Sequence, residues 1–263
     1  MTQVVVVQVA AAAVDVTNFV TASDASAQAF KTATLLKTLS VNSLITGESG
    51  VGKKSLAKYI LPDAQIIDAS DFDHILVALE NSREIIISNL ENSPNLIRLI
   101  KAIQQNNVRV VATAKSSFFD ENIDDLFSLQ FDIPPLSQRL EDVDVLVKSF
   151  IKEAALLFNS NEKFDLKNFQ PDLSQNSNSL RRQVMISYLL QDIKDVELMD
   201  IIDNYLYSRL GSNSDYRNFL YLYEVPLIKS GLRKFKSQLK LADKLGLNRN
   251  TLRKKISDNK QYI

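Results

Sequence analysis

The stretch ITGESGVGKKSLAKYI, residues 45–60, decides the fold. It continues an apolar run that begins at Ser43, carries glycines at 47, 50 and 52, and passes into helical periodicity from Lys54. Strand, glycine loop and helix in that order make a phosphate-binding loop. Glycines let backbone N–H groups curl around phosphate oxygens, the helix N-terminus adds partial positive charge, and Lys53 can reach the β- and γ-phosphates. The candidate nucleotide-binding residues are Gly47, Glu48, Ser49, Gly50, Val51, Gly52, Lys53 and Lys54, with ATP or ADP as the ligand. A turn kept only for structure fits the same glycines. After Lys53 comes Lys54, where such loops carry a Ser or Thr that ligates Mg²⁺. Ser55 is one position late and is expected to face elsewhere on the helix.

Outward from this loop, short β-branched runs alternate with helix-length segments: NSLITG, AQIIDAS, EIIISNL, VRVVATA and LQFDIPPL. Such alternation predicts an α/β domain with a mostly parallel sheet and helices on its faces. From Ser137 the β runs stop and helical periodicity takes over, interrupted by PDLSQNSNS at 171–179. A second break, LGSNSD at 210–215, sets off the end of the chain.

Composition removes several chemistries. The 263 residues contain no Cys and a single His, His74, which excludes disulfides, thiolate metal sites and two-His catalysis. The apolar start Val4–Val16 is too short to span a bilayer and no basic residue precedes it, so a cytoplasmic protein without membrane contact is expected. Net charge is zero, yet Lys229–Ile263 holds 11 Lys or Arg against Asp243 and Asp258, leaving that tail at +9 and the rest at −9. A basic tail on an acidic body is the footprint of nucleic-acid binding; a solvated helix surface has the same look.

Within the tail, Leu239, Leu241, Ala242 and Leu245 supply an apolar helical face, Gly246 ends that helix, and Asn248 caps the next. That is a helix-turn-helix whose second helix can enter a major groove of double-stranded DNA. Arg249, Asn250, Thr251, Arg253, Lys254 and Lys255 are the candidate contacts there, with Asn248 at its start. A pair of packing helices remains the simpler alternative.

Three motifs in order resemble one family. GESGVGKK is similar to the GESGTGKE loop of the NtrC-type sigma-54 activators, bacterial AAA+ regulators in which a residue other than Ser or Thr after the lysine is normal. IPPLSQRLEDVDVLVKSFI resembles their LPPLRERKEDIPLLVEHFL, and LKLADKLGLNRNTLRKKI resembles their terminal Fis-type helix-turn-helix. The resemblance implies an AAA+ P-loop core over 1–136, a helical lid over 137–195 and an all-α Fis-type DNA-binding domain over 196–263. It also implies that Arg181, in SNSLRRQV, is the lid arginine that touches the β- or γ-phosphate; an ion-paired or solvated lid arginine fits equally. In Fis-type domains the start of the helix before the reading helix touches the DNA backbone, which the resemblance carries to Ser237 and Gln238. Fis-type domains dimerise through preceding helices, so Phe219, Leu220, Leu222, Tyr223 and Leu227 point to a homodimer or higher homo-oligomer, although packing within the domain explains them too.

The departures from the family weaken the enzyme reading. Aligned on the following proline, the Asp-Glu pair that anchors Mg²⁺ and positions water becomes Ser88 and Asn89. Mg²⁺ thus lacks its carboxylate anchor. Glu91 and Glu84 are displaced substitutes, and Lys115 stands near the polar sensor position. About 34 residues separate Lys53 from Ser88, too few for the GAFTGA loop that grips sigma-54, and the stretch 118–135 contains no Arg to serve as a finger. The expectation is a DNA-binding transcriptional regulator that binds ATP or ADP without efficient hydrolysis, with no catalytic residue assigned. The alternatives are an active ATPase that remodels sigma-54 RNA polymerase and a Fis-like architectural protein that bends DNA. RNA polymerase is a candidate partner.

Overall fold

Five runs rich in Ile and Val form β1 (Ser43–Gly47), β2 (Gln65–Asp68), β3 (Glu84–Ser88), β4 (Arg109–Ala114) and β5 (Leu129–Ile133). The structure, a computed structural model, describes residues 19–159, 164–166 and 169–263. The apolar start Val4–Val16 lies outside them. All strand pairings are parallel, in the order β2-β3-β4-β1-β5.

Parallel neighbours require crossovers, and these cover both faces of the sheet. On one face Ile45, Ile86 and Val111 pack with Ala33 and Leu36 of α1 (Asp24–Thr38) and with Leu56 and Ile60 of α2 (Lys53–Ile60). The alternate strand positions Leu44, Ile85, Ile87 and Val110 point to the other face. There they pack with Ile75 and Leu79 of α3 (Phe72–Asn81) and Leu99 and Ile103 of α4 (Leu96–Asn106). Burial on both sides is why these strands read as unbroken apolar runs instead of alternating. β1 lies between β4 and β5, while α2 carries the chain to the far edge strand β2. Connections therefore diverge at the carboxyl ends of the strands and leave a crevice there.

After the sheet, α5 (Leu140–Leu157) packs against α6 (Ser177–Leu190) through Leu136, Val143, Val147, Leu180 and Val184, a helical pair in the segment that the family resemblance reads as a lid. Contacts divide the chain into two compact units, one ending at Asp192 and one spanning Ile193–Ile263. Core and lid share the first unit. The second holds α7 (Asp195–Tyr207), α8 (Asp215–Phe219), α9 (Tyr221–Phe235), α10 (Gln238–Lys244) and α11 (Arg249–Asp258). Its small core joins Ile228, Leu241, Ala242 and Leu252. Gly231 lets α9 and α10 meet, since a Cβ there would lie 2.2 Å from the Leu241 side chain. Leu239, assigned from the sequence to the apolar face of α10, is instead 62% exposed. Among the described residues no helix is long and apolar enough to cross a membrane.

Candidate functional site

The loop after β1 takes a backbone path that its glycines permit. Gly50 and Gly52 have φ of 81° and 107°, a region that side chains disfavour. Gly52 is the N-cap of α2. A Cβ on Gly50 would sit 2.5 Å from the carbonyl oxygen of Gln175, so the loop also needs glycine to let the lid approach.

That approach is built from three consecutive residues at the start of α6. Asn176 is buried, with φ 53° and ψ −130°. Its amide nitrogen donates to Glu48 Oε2 and to the Ser49 carbonyl, both at 2.9 Å, while its oxygen accepts from Leu136 N–H at 2.6 Å. Ser177 donates through its N–H and hydroxyl to the Gly50 carbonyl, at 3.2 and 2.6 Å. The lid thereby occupies carbonyls of the loop.

The cleft in front of the loop has a volume of about 530 Å³. Glu48, Ser49, Gly50, Gly52, Lys53 and Lys54 line one side, joined by Ser55, which the sequence reading turned away from the site. The cleft wraps over the whole first turn of α2, so successive residues both reach it. Gly47 and Val51 do not line it: the Val51 side chain is buried in the core beneath the loop. Asn89, Glu91, Thr113 and Lys115 close the strand-end side, and Ser177 and Asn178 come from the lid. Lys53 Nζ donates to the carbonyls of Gly47 and of Glu48, the latter at 2.7 Å. Burial pushes its proton affinity below the ordinary lysine value, opposed by Glu91 and Asp132 and helped by Lys54 and Lys115.

At the end of β3 the two positions expected to lack acid have definite partners. Ser88 is buried, and Asn89, at φ 57°, donates its amide to Asp68 Oδ2 at 2.6 Å and its N–H to Thr113 Oγ1 at 3.2 Å. Asp68, paired with Ser88 in the sheet register, was invisible to motif reading because it lies on the edge strand β2. Burial raises its pKa, but hydrogen bonds from Ser70 and Asn89 outweigh this and hold the carboxyl below its ordinary value. The substitutes separate cleanly. Glu84 lies at the opposite end of β3, ion-paired to Arg109 at 2.8 Å. Glu91 lines the cleft, its side chain 14% exposed, accepting from Lys115 N–H at 3.3 Å with the Lys115 ammonium at 3.9 Å.

Arg181 is not placed where the family resemblance puts it. Its guanidinium grips both oxygens of Glu153 across α5 and α6, and it does not line the cleft. Asn178, one helical turn earlier, does line the cleft, with its amide nitrogen 3.4 Å from Ser49 Oγ. The helix start at Ser177 sets this phase, and no spacing in the sequence revealed it.

A buried ion pair ties loop, lid and α1 together. Arg139 and Asp142 are 3% and 0% exposed, with Nη1 to Oδ2 at 3.1 Å. Arg139 also donates to Ser26 Oγ at 2.8 Å, to the Val51 carbonyl at 3.1 Å and to the Pro134 carbonyl at 3.0 Å. Asp142 accepts from Ala22 N–H and Ser23 N–H, both at 2.9 Å, and from the Ser26 hydroxyl.

In the second unit, Arg249, Asn250, Thr251, Arg253 and Lys254 are exposed on α11 while Leu252 is buried. Asn248 accepts from Asn250 N–H at 2.8 Å and Ser237 from Lys240 N–H at 3.4 Å, so each is a helix cap; Gln238 is exposed beside Ser237. Lys255 departs from the expected set. Its ammonium is ion-paired to Glu224 of α9, which makes it part of the packing of the unit. Leu198, Ile202, Phe219, Leu222, Tyr223 and Leu227 line an apolar groove of about 680 Å³ among α7, α8 and α9.

No protein-family model and no curated protein matches the sequence. Solved structures do resemble the fold. NtrX from Brucella abortus in complex with ADP aligns over 91% of this chain and 69% of that one, with 18% identity and a TM-score of 0.54. The same protein in complex with ATP gives 92% and 69% coverage, 17% identity and a TM-score of 0.56. A further NtrX structure gives 91% and 68% coverage, 16% identity and a TM-score of 0.53. The likeness is one of fold: an α/β domain with a parallel five-stranded sheet and a helical segment after it.

Proposed function

We propose that this chain is a sequence-specific DNA-binding transcriptional regulator whose AAA+ module binds ATP or ADP and signals by occupancy, without efficient hydrolysis. The observation that carries the reading is the juxtaposition at the cleft. A glycine loop with its lysine, docked by the lid through Asn176 and Ser177, faces a β3 end where Asn89 lines the cleft and Ser88 is buried, neither of them a carboxylate. Such a site can hold a polyphosphate but lacks the paired acids that turn it over. The lid arginine engaged by Glu153, and a stretch 118–135 without Arg, favour the same reading. Occupancy would shift the lid contacts on the loop and pass from there to the DNA-binding tail.

DNA binding through α10 and α11 is supported by the exposed basic residues of α11 and the +9 charge of 229–263. A homodimer or higher oligomer is supported by the apolar groove of the second unit. The Fis-type assignment and any contact with sigma-54 or RNA polymerase rest on the sequence resemblance. One observation favours the hydrolysing alternative: Glu91 lies in the cleft. Calorimetric titration of wild type and Lys53→Ala with ATP and ADP, with phosphate release followed in the same samples, tests both. Binding by the wild type without release is expected; release that depends on Glu91 would establish the ATPase instead.

A further inference from the structure

Mg²⁺ is the companion that an AAA+ phosphate loop implies, and the donor set of this cleft does not fit it. Mg²⁺ demands near-octahedral oxygen donors and is held by a hydroxyl or one or two carboxylates in addition to substrate phosphates. Lys54 stands at the hydroxyl position; the Ser55 and Thr113 hydroxyls line the cleft, but neither brings the negative charge of a carboxylate. At the strand end the amide of Asn89 is turned onto Asp68, and Asp68 already accepts from Ser70 N–H, Ser70 Oγ, Ser88 Oγ and Asn89 Nδ2. Nor does Asp68 line the cleft. Glu91 does, but its carboxylate is engaged by both the N–H and the ammonium of Lys115. Glu48, on the loop, is engaged by Asn176. Among the described residues no group of three or more His, Asp or Glu stands close enough to hold a metal ion.

In place of those donors the cleft holds cations. Lys53, Lys54 and Lys115 all line it, on the loop side and the strand-end side of the same cavity. An ordinary phosphate loop brings one lysine and leaves the remaining phosphate charge to the divalent ion. Resting on the nucleotide reading above, we infer that this cleft binds ATP or ADP as the metal-free polyphosphate, its lysine ammoniums supplying the charge that Mg²⁺ supplies elsewhere. Free nucleotide carries more negative charge than its magnesium complex, so it gains more from each ammonium. Chelation of Mg²⁺ should then leave binding intact.

The test is calorimetric titration of the full chain with ATP and with ADP, in EDTA and in excess MgCl₂. It uses wild type, Lys54→Ala, Lys115→Ala and Glu91→Gln, each shown by urea unfolding to match wild type in stability. Wild-type affinity in EDTA is expected to equal or exceed that in MgCl₂. Lys115→Ala and Lys54→Ala should each weaken metal-free binding by roughly tenfold, the loss of one charge-assisted contact. Glu91→Gln should tighten it, because Lys115 is released. A wild-type loss of about tenfold or more on chelation overturns the inference, as does a magnesium-dependent gain that Glu91→Gln abolishes. Indifference to both lysine substitutions overturns it as well. Absence of binding in both buffers is a different result: it removes the nucleotide reading itself.

Discussion

Substituting Arg139 by Met would leave Asp142, 0% exposed, without its counter-ion, and would strip donors from the carbonyls of Val51 and Pro134. Removing one partner of a buried ion pair destabilises by about 3–5 kcal/mol, chiefly because the other charge stays buried and uncompensated. With a urea m-value of about 2.5 kcal/mol/M, a loss of ~4 kcal/mol lowers the unfolding midpoint by ~1.5 M. Far-UV circular dichroism of the full chain across a urea series reads this shift in the transition of the first unit. The double variant Arg139→Met with Asp142→Leu removes both charges but leaves the N–H groups of Ala22 and Ser23 without their acceptor, so it should recover only part of the loss. Because Arg139 also holds the Val51 carbonyl, the single variant should weaken nucleotide binding beyond its effect on folding. A midpoint within ~0.3 M of wild type for Arg139→Met would refute the claim that this pair joins loop, lid and α1.

Four other outcomes follow from the same geometry. Gly50→Ala places a Cβ against the Gln175 carbonyl at a φ that side chains disfavour, so it should destabilise by ~1–3 kcal/mol and weaken nucleotide binding; a neutral urea midpoint contradicts this. Asp68 has a depressed pKa, so its contribution to stability is present above the ordinary carboxylate value of 3.8 and is lost as pH falls through the folded-state value. The stability gap between wild type and Asp68→Asn, measured by urea unfolding across pH, should therefore close on acidification; a gap that widens runs against the assigned hydrogen bonds. Arg253→Ala and Lys254→Ala should each lower the salt slope of DNA binding by roughly 1, whereas Lys255→Ala should leave the slope unchanged and lower stability. Equal slopes for all three variants would remove α11 as the DNA surface. Arg181→Ala should leave nucleotide affinity within about twofold of wild type, while Asn178→Ala should reduce it; the reverse order restores the arginine as the phosphate contact.

The sheet was legible because burial on both faces of the central strands favours apolar, β-branched runs, and all five runs became strands. The glycine loop was legible for a similar reason, since its positive φ values admit few other residues. The helix cap Asn248 in the tail could be read from residue type alone. Phase and partnership could not. Which lid residue reaches the cleft depends on α6 starting after Asn176, whose unusual backbone leaves no mark in the sequence, so Arg181 was assigned the place that Asn178 holds. Asp68 went unnoticed because strand order, not sequence distance, sets it beside Ser88 and Asn89. Arg139 and Asp142 looked like a family motif at a lid entrance; only the packed structure shows them buried and bonded to α1 and to the loop. Lys255 was grouped with its neighbours by charge, and one position around α11 turned it to Glu224.

The central claim is that nucleotide occupancy, not turnover, governs DNA binding. Fluorescence anisotropy of a labelled duplex, recovered by selection from random sequence, tests it for wild type and Lys53→Ala with no nucleotide, with ADP and with ATP. The account predicts that wild-type DNA affinity changes with nucleotide while no phosphate is released, and that Lys53→Ala shows one affinity throughout. Identical affinities for both proteins under all three conditions, or a change that tracks phosphate release, would contradict it.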